Sequence, residues 1–196
     1  MFRRRTELGA APGSIETDPN AHKPEIRILS FGPDELKEEP IPGVSRVESI
    51  LRRRPITWVN ITGLGDSRTI HELGRIFKLH PLALEDVVNV HQQPKAEFYD
   101  GSLFLVTRIP IAGDRFETEQ ISIFVGDHYV LTFQERPGDC FEPVRERLRE
   151  SRGRIRSAGP DYLAYSLLDS VVDAWFPIIE RYGDTLDDID REITEQ

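Results

Sequence analysis

Polar and apolar positions alternate in some stretches of the chain and recur every three or four residues in others. Ile26 to Phe31 reads as a strand closed by Gly32-Pro33. Residues 34–43 carry Pro40, Pro42 and Gly43, which predicts a loop or a broken helical piece. Val44 to Arg53 predicts a short helix before Pro55. Thr57-Trp58-Val59-Asn60-Ile61 is rich in β-branched and aromatic residues and predicts a strand. Gly63-Leu64-Gly65-Asp66 then turns the chain into a helix at Ser67 to Phe77, with Ile70, Leu73, Ile76 and Phe77 at helical spacing. Pro81 suits the first position of a second short helix, because its missing N–H costs nothing there. Phe98 to Ile111 and Gln120 to Phe133 are the expected core strands, the latter a hairpin about Gly126-Asp127. Phe141 to Arg149 predicts a charged helix ending around Gly153.

From Pro160 to Gln196 the pattern is helical throughout. Leu163, Leu167, Val171, Trp175, Ile178, Tyr182, Leu186, Ile189 and Ile193 step by three or four residues. A continuous helix of that length spans on the order of 55 Å at ~1.5 Å per residue. Gly183 is its weak point, at about 1 kcal/mol relative to alanine. Such a stripe needs a partner, and no stop signal closes the helix. The expectation is a fragment whose intact form continues, or a helix covered by a neighbouring subunit. The organisation expected is a flexible N-terminal tail over 1–24, an α/β domain over 25–158, and the start of a long helix over 159–196.

Composition narrows the function. Acidic residues outnumber basic ones, 34 to 25, for a formal charge of −9, which disfavours nucleic acid as a partner. With one cysteine, Cys140, neither an internal disulfide nor a cysteine-based zinc site is available, and this usage fits a reducing cytosol. No apolar run approaches the ~18–20 residues of a spanning helix. Arg3-Arg4-Arg5 is followed by polar and small residues rather than an apolar stretch, so no secretory signal is read. Enzyme signatures fail as well. Gly63-Leu64-Gly65 has Arg68 where a dinucleotide loop needs its third glycine, so a plain strand-to-helix turn is the simpler reading. There is no phosphate-binding loop and no nucleophile elbow. His80 and His91 flank one short helix but lack the spacing of zinc enzymes. Arg52-Arg53-Arg54 reads as a solvated helix end, and Trp58 and Trp175 as packing residues.

The segment His80-Pro81-Leu82-Ala83-Leu84-Glu85-Asp86-Val87-Val88-Asn89-Val90-His91-Gln92-Gln93-Pro94-Lys95 resembles a motif of the CorA family of divalent-cation (Mg²⁺/Co²⁺) transporters. It departs from the motif at Gln93, where the family commonly has arginine. Glu119-Gln120-Ile121-Ser122, Phe133-Gln134-Glu135, the stretch from Phe141 to Arg147, and Asp161-Tyr162-Leu163 with Tyr165 to Asp169 and Asp173 are similar again, in order. The resemblance covers roughly residues 57–196. The family's Gly-Met-Asn signature lies after the first membrane helix and falls outside this sequence.

The resemblance implies an α/β (α+β type) fold, a mixed sheet sandwiched between helices and followed by a long C-terminal helix. It implies a homopentamer at the cytoplasmic face of the cell membrane, reached through membrane helices beyond this sequence. The implied role is regulatory rather than enzymatic: carboxylates at subunit contacts bind Mg²⁺ and hold the pore shut when the ion is plentiful. By position those carboxylates are Asp86 and its neighbour Glu85, with Asp169 and, less directly, Asp173. Co²⁺ and Zn²⁺ are alternative ions, and a Zn²⁺ transporter of the same superfamily is the alternative within it. Outside the family, the alternative is a stand-alone α/β oligomerisation module with no ion role. Each carboxylate also has a plainer explanation. Glu85 and Asp86 sit in the early turns of a helix, where negative charge is favoured, and Asp169 and Asp173 fit the solvated face of an amphipathic helix.

Overall fold

The computed structural model describes residues 11–18, 20–51, 55–111 and 116–194. Seven strands form one sheet: β1 (Glu25–Phe31), β2 (Leu36–Ile41), β3 (Ile56–Thr62), β4 (Lys95–Tyr99), β5 (Ser102–Ile111), β6 (Glu117–Val125) and β7 (Tyr129–Gln134). Their order is β2-β1-β3-β7-β6-β5-β4. Only β3 and β7 run parallel, and every other neighbouring pair is antiparallel.

Side-chain alternation divides the interior in two. On β3, Val59 and Ile61 face one core while Ile56 and Trp58 face the other. The first core is covered by α1 (Val47–Leu51), α2 (Ser67–Phe77) and α3 (Pro81–Val88). The second is covered by α4 (Glu142–Arg149) and α5 (Pro160–Asp173). The architecture is therefore the expected mixed sheet between helices. The final helix, α6 (Phe176–Thr194), buries none of its residues.

Local chemistry explains the turn into α2. Asp66 caps the helix by accepting from the Arg68 N–H at 3.2 Å and the Thr69 hydroxyl at 2.6 Å. Gly63 has φ of +94°, and a Cβ there would lie 2.5 Å from the Lys23 carbonyl oxygen. The backbone of residues 21–23 fills the space beside this turn, with the Gly65 N–H donating to the His22 carbonyl at 2.8 Å. That packing accounts for the glycines structurally.

Four expectations are corrected. Residues 34–43 are not a loop or helical piece: Leu36–Ile41 forms β2, with Pro40 opposite Arg27 on β1. An edge strand tolerates a proline because one side of its backbone needs no ladder partner. The run from Phe98 to Ile111 is two strands, turned at Asp100-Gly101, where Gly101 takes φ of +89°. The segment from Pro160 is not continuous helix, since α5 ends at Asp173 and α6 starts at Phe176. Pro177 has no N–H to donate to the Asp173 carbonyl, so the ladder fails there, whereas Gly183 lies inside α6 without interrupting it. The short helix expected over 44–53 is a 3₁₀ turn at Val44–Arg46 followed by α1. Arg52, Arg53, Arg54, Glu195, Gln196 and residues 1–10 lie outside the described residues.

Candidate metal centre

α3 is held at both ends. At its start His80 is the N-cap, its Nδ1 accepting from the Leu82 N–H at 3.3 Å, and Pro81 occupies the first turn. The His80 ring also stacks on Tyr99 with centroids 4.6 Å apart. Toward its other end, the Gln120 side chain from β6 donates to the Asp86 carbonyl at 2.9 Å and accepts from the Gln92 N–H at 3.0 Å. Arg108 of β5 donates to the Val90 carbonyl at 3.2 Å. Ala83, Leu84, Val87 and Val88 are buried against the first core, so one side of the helix is fixed and the other is left to Asp86.

The two adjacent carboxylates of α3 diverge. Glu85 is buried, and its Oε2 accepts from the Gly13 N–H at 2.8 Å. Asp86 keeps 19% of its side chain exposed, and its Oδ2 lies 2.7 Å from the Lys95 Nζ. Lys95 also reaches the Glu97 Oε2 at 2.8 Å, and the Tyr99 hydroxyl donates to that same oxygen at 2.8 Å. Lys95, Glu97 and Tyr99 share a face because alternate strand residues do. Burial pulls the Lys95 ammonium down, but the hydrogen bonds to Asp86 and Glu97 outweigh it and hold the group above its ordinary value. The same contact with Lys95, then the Tyr99 hydroxyl, holds the Glu97 carboxyl low. Burial followed by Glu97 pushes the Tyr99 hydroxyl up.

Asp169 and Asp173 lie elsewhere. Both are exposed, one turn apart on α5, which covers the opposite face of the sheet from α3. Within one chain the sheet separates them from Glu85 and Asp86. Among the described residues no three histidine, cysteine or acidic side chains gather as a group able to hold a metal. His80 is committed to its cap. Asn89, three residues past Asp86, has its Oδ1 buried with no partner among the described residues. The parts of this site that the sequence reading did not assign are Lys95, Glu97 and Gln120. For Lys95 and Glu97 the signal was strand alternation, which places positions 95, 97 and 99 on the α3 side once β4 starts at Lys95.

A half-open cleft of about 390 Å³ lies where β3 and β7 end, lined by Asn60, Gln134 and Arg145 among others. Its buried guanidinium is already paired, since Arg145 Nη1 donates to the Asp139 Oδ1 at 2.8 Å. Among the described residues no helix is long and apolar enough to cross a membrane.

Comparison with known proteins agrees with this architecture. The family model described as "CorA-like Mg2+ transporter protein" matches residues 55–196. The cobalt/magnesium transport protein CorA of Thermotoga maritima is 37% identical over 199 residues, covering 99% of this chain and 56% of that protein. The chain thus spans about half the length of that relative. Among solved structures, the soluble domain of CorA from Methanocaldococcus jannaschii superposes with a TM-score of 0.65 at 12% identity, over 87% of this chain and 64% of that one. The cytoplasmic domain of ZntB from Vibrio parahaemolyticus gives 0.60 at 13% identity, over 84% and 64%. At such identities the structures speak for the fold alone. The family model and the Thermotoga relative, on the other hand, cover most of this chain at a similarity that assigns descent, and the chain belongs to the CorA-like Mg²⁺ transporter family.

Proposed function

We propose that the chain is the cytoplasmic, cation-sensing part of a divalent-cation transporter, assembled as a homopentamer on the membrane, with Asp86 contributing to a regulatory Mg²⁺ or Co²⁺ site at a subunit contact. The observation that carries this reading is Asp86 itself. It is a half-buried carboxylate, fixed on α3 through Gln120, and it already holds a cationic group at 2.7 Å. The donors around it are carboxylate oxygens, with the buried Asn89 Oδ1 three residues on. Oxygen donors suit Mg²⁺, which keeps several waters and needs only one or two carboxylates. Zn²⁺ prefers nitrogen and sulfur, and the likeness to the ZntB domain is one of fold, so the donor chemistry favours the harder ion.

The placement of Asp169 and Asp173 across the sheet supports a site between subunits. They lie across the sheet from the α3 of their own chain. Carboxylates facing one another over such a contact repel, and a bound dication cancels that repulsion and favours the packed arrangement. Glu85, buried and tied to the N-terminal segment through the Gly13 N–H, fixes that side of α3 rather than facing the same way as Asp86. The second reading, a stand-alone oligomerisation module, draws on the exposed Ile179, Tyr182, Leu186, Ile189 and Ile193 of α6.

Limited proteolysis of the full-length protein separates the two. Millimolar Mg²⁺ is expected to slow cleavage, and Asp86→Asn to weaken that protection. Equal protection in the variant removes Asp86 from the account, and no effect of Mg²⁺ on either protein favours the module.

A further inference from the structure

Lys95 stands between two carboxylates. Its Nζ is 2.7 Å from Asp86 Oδ2 and 2.8 Å from Glu97 Oε2. The three side chains are 29%, 19% and 39% exposed, in the order Lys95, Asp86, Glu97, so ions can reach the cluster without unfolding anything. The two acids are the fixed members. Asp86 sits on a helix anchored by Gln120, and Glu97 Oε2 also accepts from the Tyr99 hydroxyl. The lysine is the movable member, a compact charge on a flexible four-carbon stem.

We propose that Lys95 is a tethered competitor for the divalent cation: its ammonium occupies Asp86 Oδ2 when the cation is scarce and withdraws onto Glu97 when the cation binds. The proposal rests on the reading that Asp86 is a cation ligand. Its logic is one of charge and effective concentration. A tethered group competes as though present at the millimolar level or above. A monovalent ion brings no more charge than the ammonium and must come from solution, so it does not displace it. A dication brings twice the charge and does. Glu97 makes the exchange reversible, since the displaced ammonium keeps one partner at 2.8 Å rather than none. The device lowers affinity for all cations while selecting for divalent ones.

The test uses the full-length protein and the Mg²⁺ concentration that gives half-maximal protection from proteolysis. Lys95→Met is expected to lower that midpoint about tenfold, the scale of one charge removed beside a partly exposed ligand. The same variant should become sensitive to competition by KCl beyond the screening seen in wild type. An unchanged or higher midpoint, or a lower one without KCl competition, overturns the proposal. Glu97→Gln leaves the ammonium with Asp86 alone and should raise the midpoint, which keeps the idea testable if Lys95→Met fails to fold. An unchanged or lower midpoint in Glu97→Gln counts against it. Asp86→Asn separates the two levels. If it loses protection while the Lys95 and Glu97 variants behave like wild type, only the competitor is wrong. If it keeps full protection, Asp86 is no ligand and both claims fall.

Discussion

The Gln120 side-chain amide donates to the Asp86 main-chain carbonyl at 2.9 Å, joining the middle of the sheet to the helix that carries the candidate ligand. Gln120 is 2% exposed and also serves the Gln92 N–H and the Ser122 hydroxyl. It therefore fixes both α3 and the loop that leads to Lys95. Gln120→Ala leaves those buried groups without a partner. The expected loss is about 2–3 kcal/mol, the cost of stranding buried polar atoms, read by urea denaturation. Gln120→Glu keeps an acceptor for Gln92 but sets a buried carboxylate oxygen against the Asp86 carbonyl, and should cost at least as much as alanine at neutral pH.

A second buried polar tie holds the opposite core. Arg145 and Asp139 have side chains only 6% and 7% exposed, and the guanidinium lies 5.2 Å from the centre of the Trp58 ring. Without Asp139 the buried guanidinium keeps only the half-exposed Glu142 carboxylate, 3.2 Å from its Nη1, so its charge is poorly compensated. Asp139→Ala is expected to cost about 3–5 kcal/mol. The double variant Asp139→Ala/Arg145→Met should recover part of that loss, because no lone charge remains. A double variant no more stable than Asp139→Ala would show that the pair matters for packing rather than for charge.

Legibility in the sequence followed how local the controlling interaction was. α2 was readable to its ends because Asp66 and the spacing of Ile70, Leu73 and Phe77 all lie within the segment. α3 was readable from Pro81. β2 was not, because its two internal signals, Pro40 and poor alternation, oppose the pairing that β1 supplies. The same holds at the candidate site. Glu85 and Asp86 stood out through the motif. Glu97 did not, because the apolar Phe98 drew the strand's start to itself, yet Phe98 is 86% exposed and points away from α3. Only pairing with β5 shows that the strand starts at Lys95, which turns 95, 97 and 99 inward. The break before α6 had a local cause, Pro177, that the strong helical spacing around it concealed.

Glu119 gives stability a particular pH dependence. It is 3% exposed, and its Oε1 accepts from the Glu135 N–H at 2.6 Å and the Arg136 N–H at 2.9 Å. Burial pushes its carboxyl above the usual glutamate value of 4.5, against the pull of those two N–H groups. The folded state therefore holds this proton to higher pH than the unfolded state does, and stability falls as pH rises from 4.5 through the folded value. Glu38, Glu97 and Glu142 are shifted the other way by their Arg149 or Lys95 contacts, so their contributions are lost only as pH falls below 4.5. Glu119→Gln keeps the acceptor oxygen and removes the charge. Its denaturation free energy should stay flat across the window in which wild type declines, and exceed wild type at neutral pH. Parallel pH curves for the two proteins would assign the decline to another group.

Gly183 tests whether α6 is energetically part of the domain. The position is exposed, lies inside the helix, and has nothing within 4 Å of where a Cβ would be. Alanine there gains about 1 kcal/mol of helix propensity with no steric cost. Because α6 buries none of its residues, that gain should remain local. Amide hydrogen exchange along Phe176–Thr194 is expected to slow about fivefold in Gly183→Ala, the factor that ~1 kcal/mol sets. The unfolding midpoint followed through Trp58, which is fully buried in the sheet, should stay unchanged. A matching rise in that midpoint would mean that α6 unfolds together with the sheet. Its links would then be Trp175, just before the helix, whose indole N–H donates to the Arg108 carbonyl at 3.0 Å, and the ring of Phe116, whose centre lies 5.9 Å from Trp175 and 6.3 Å from Tyr182 of α6.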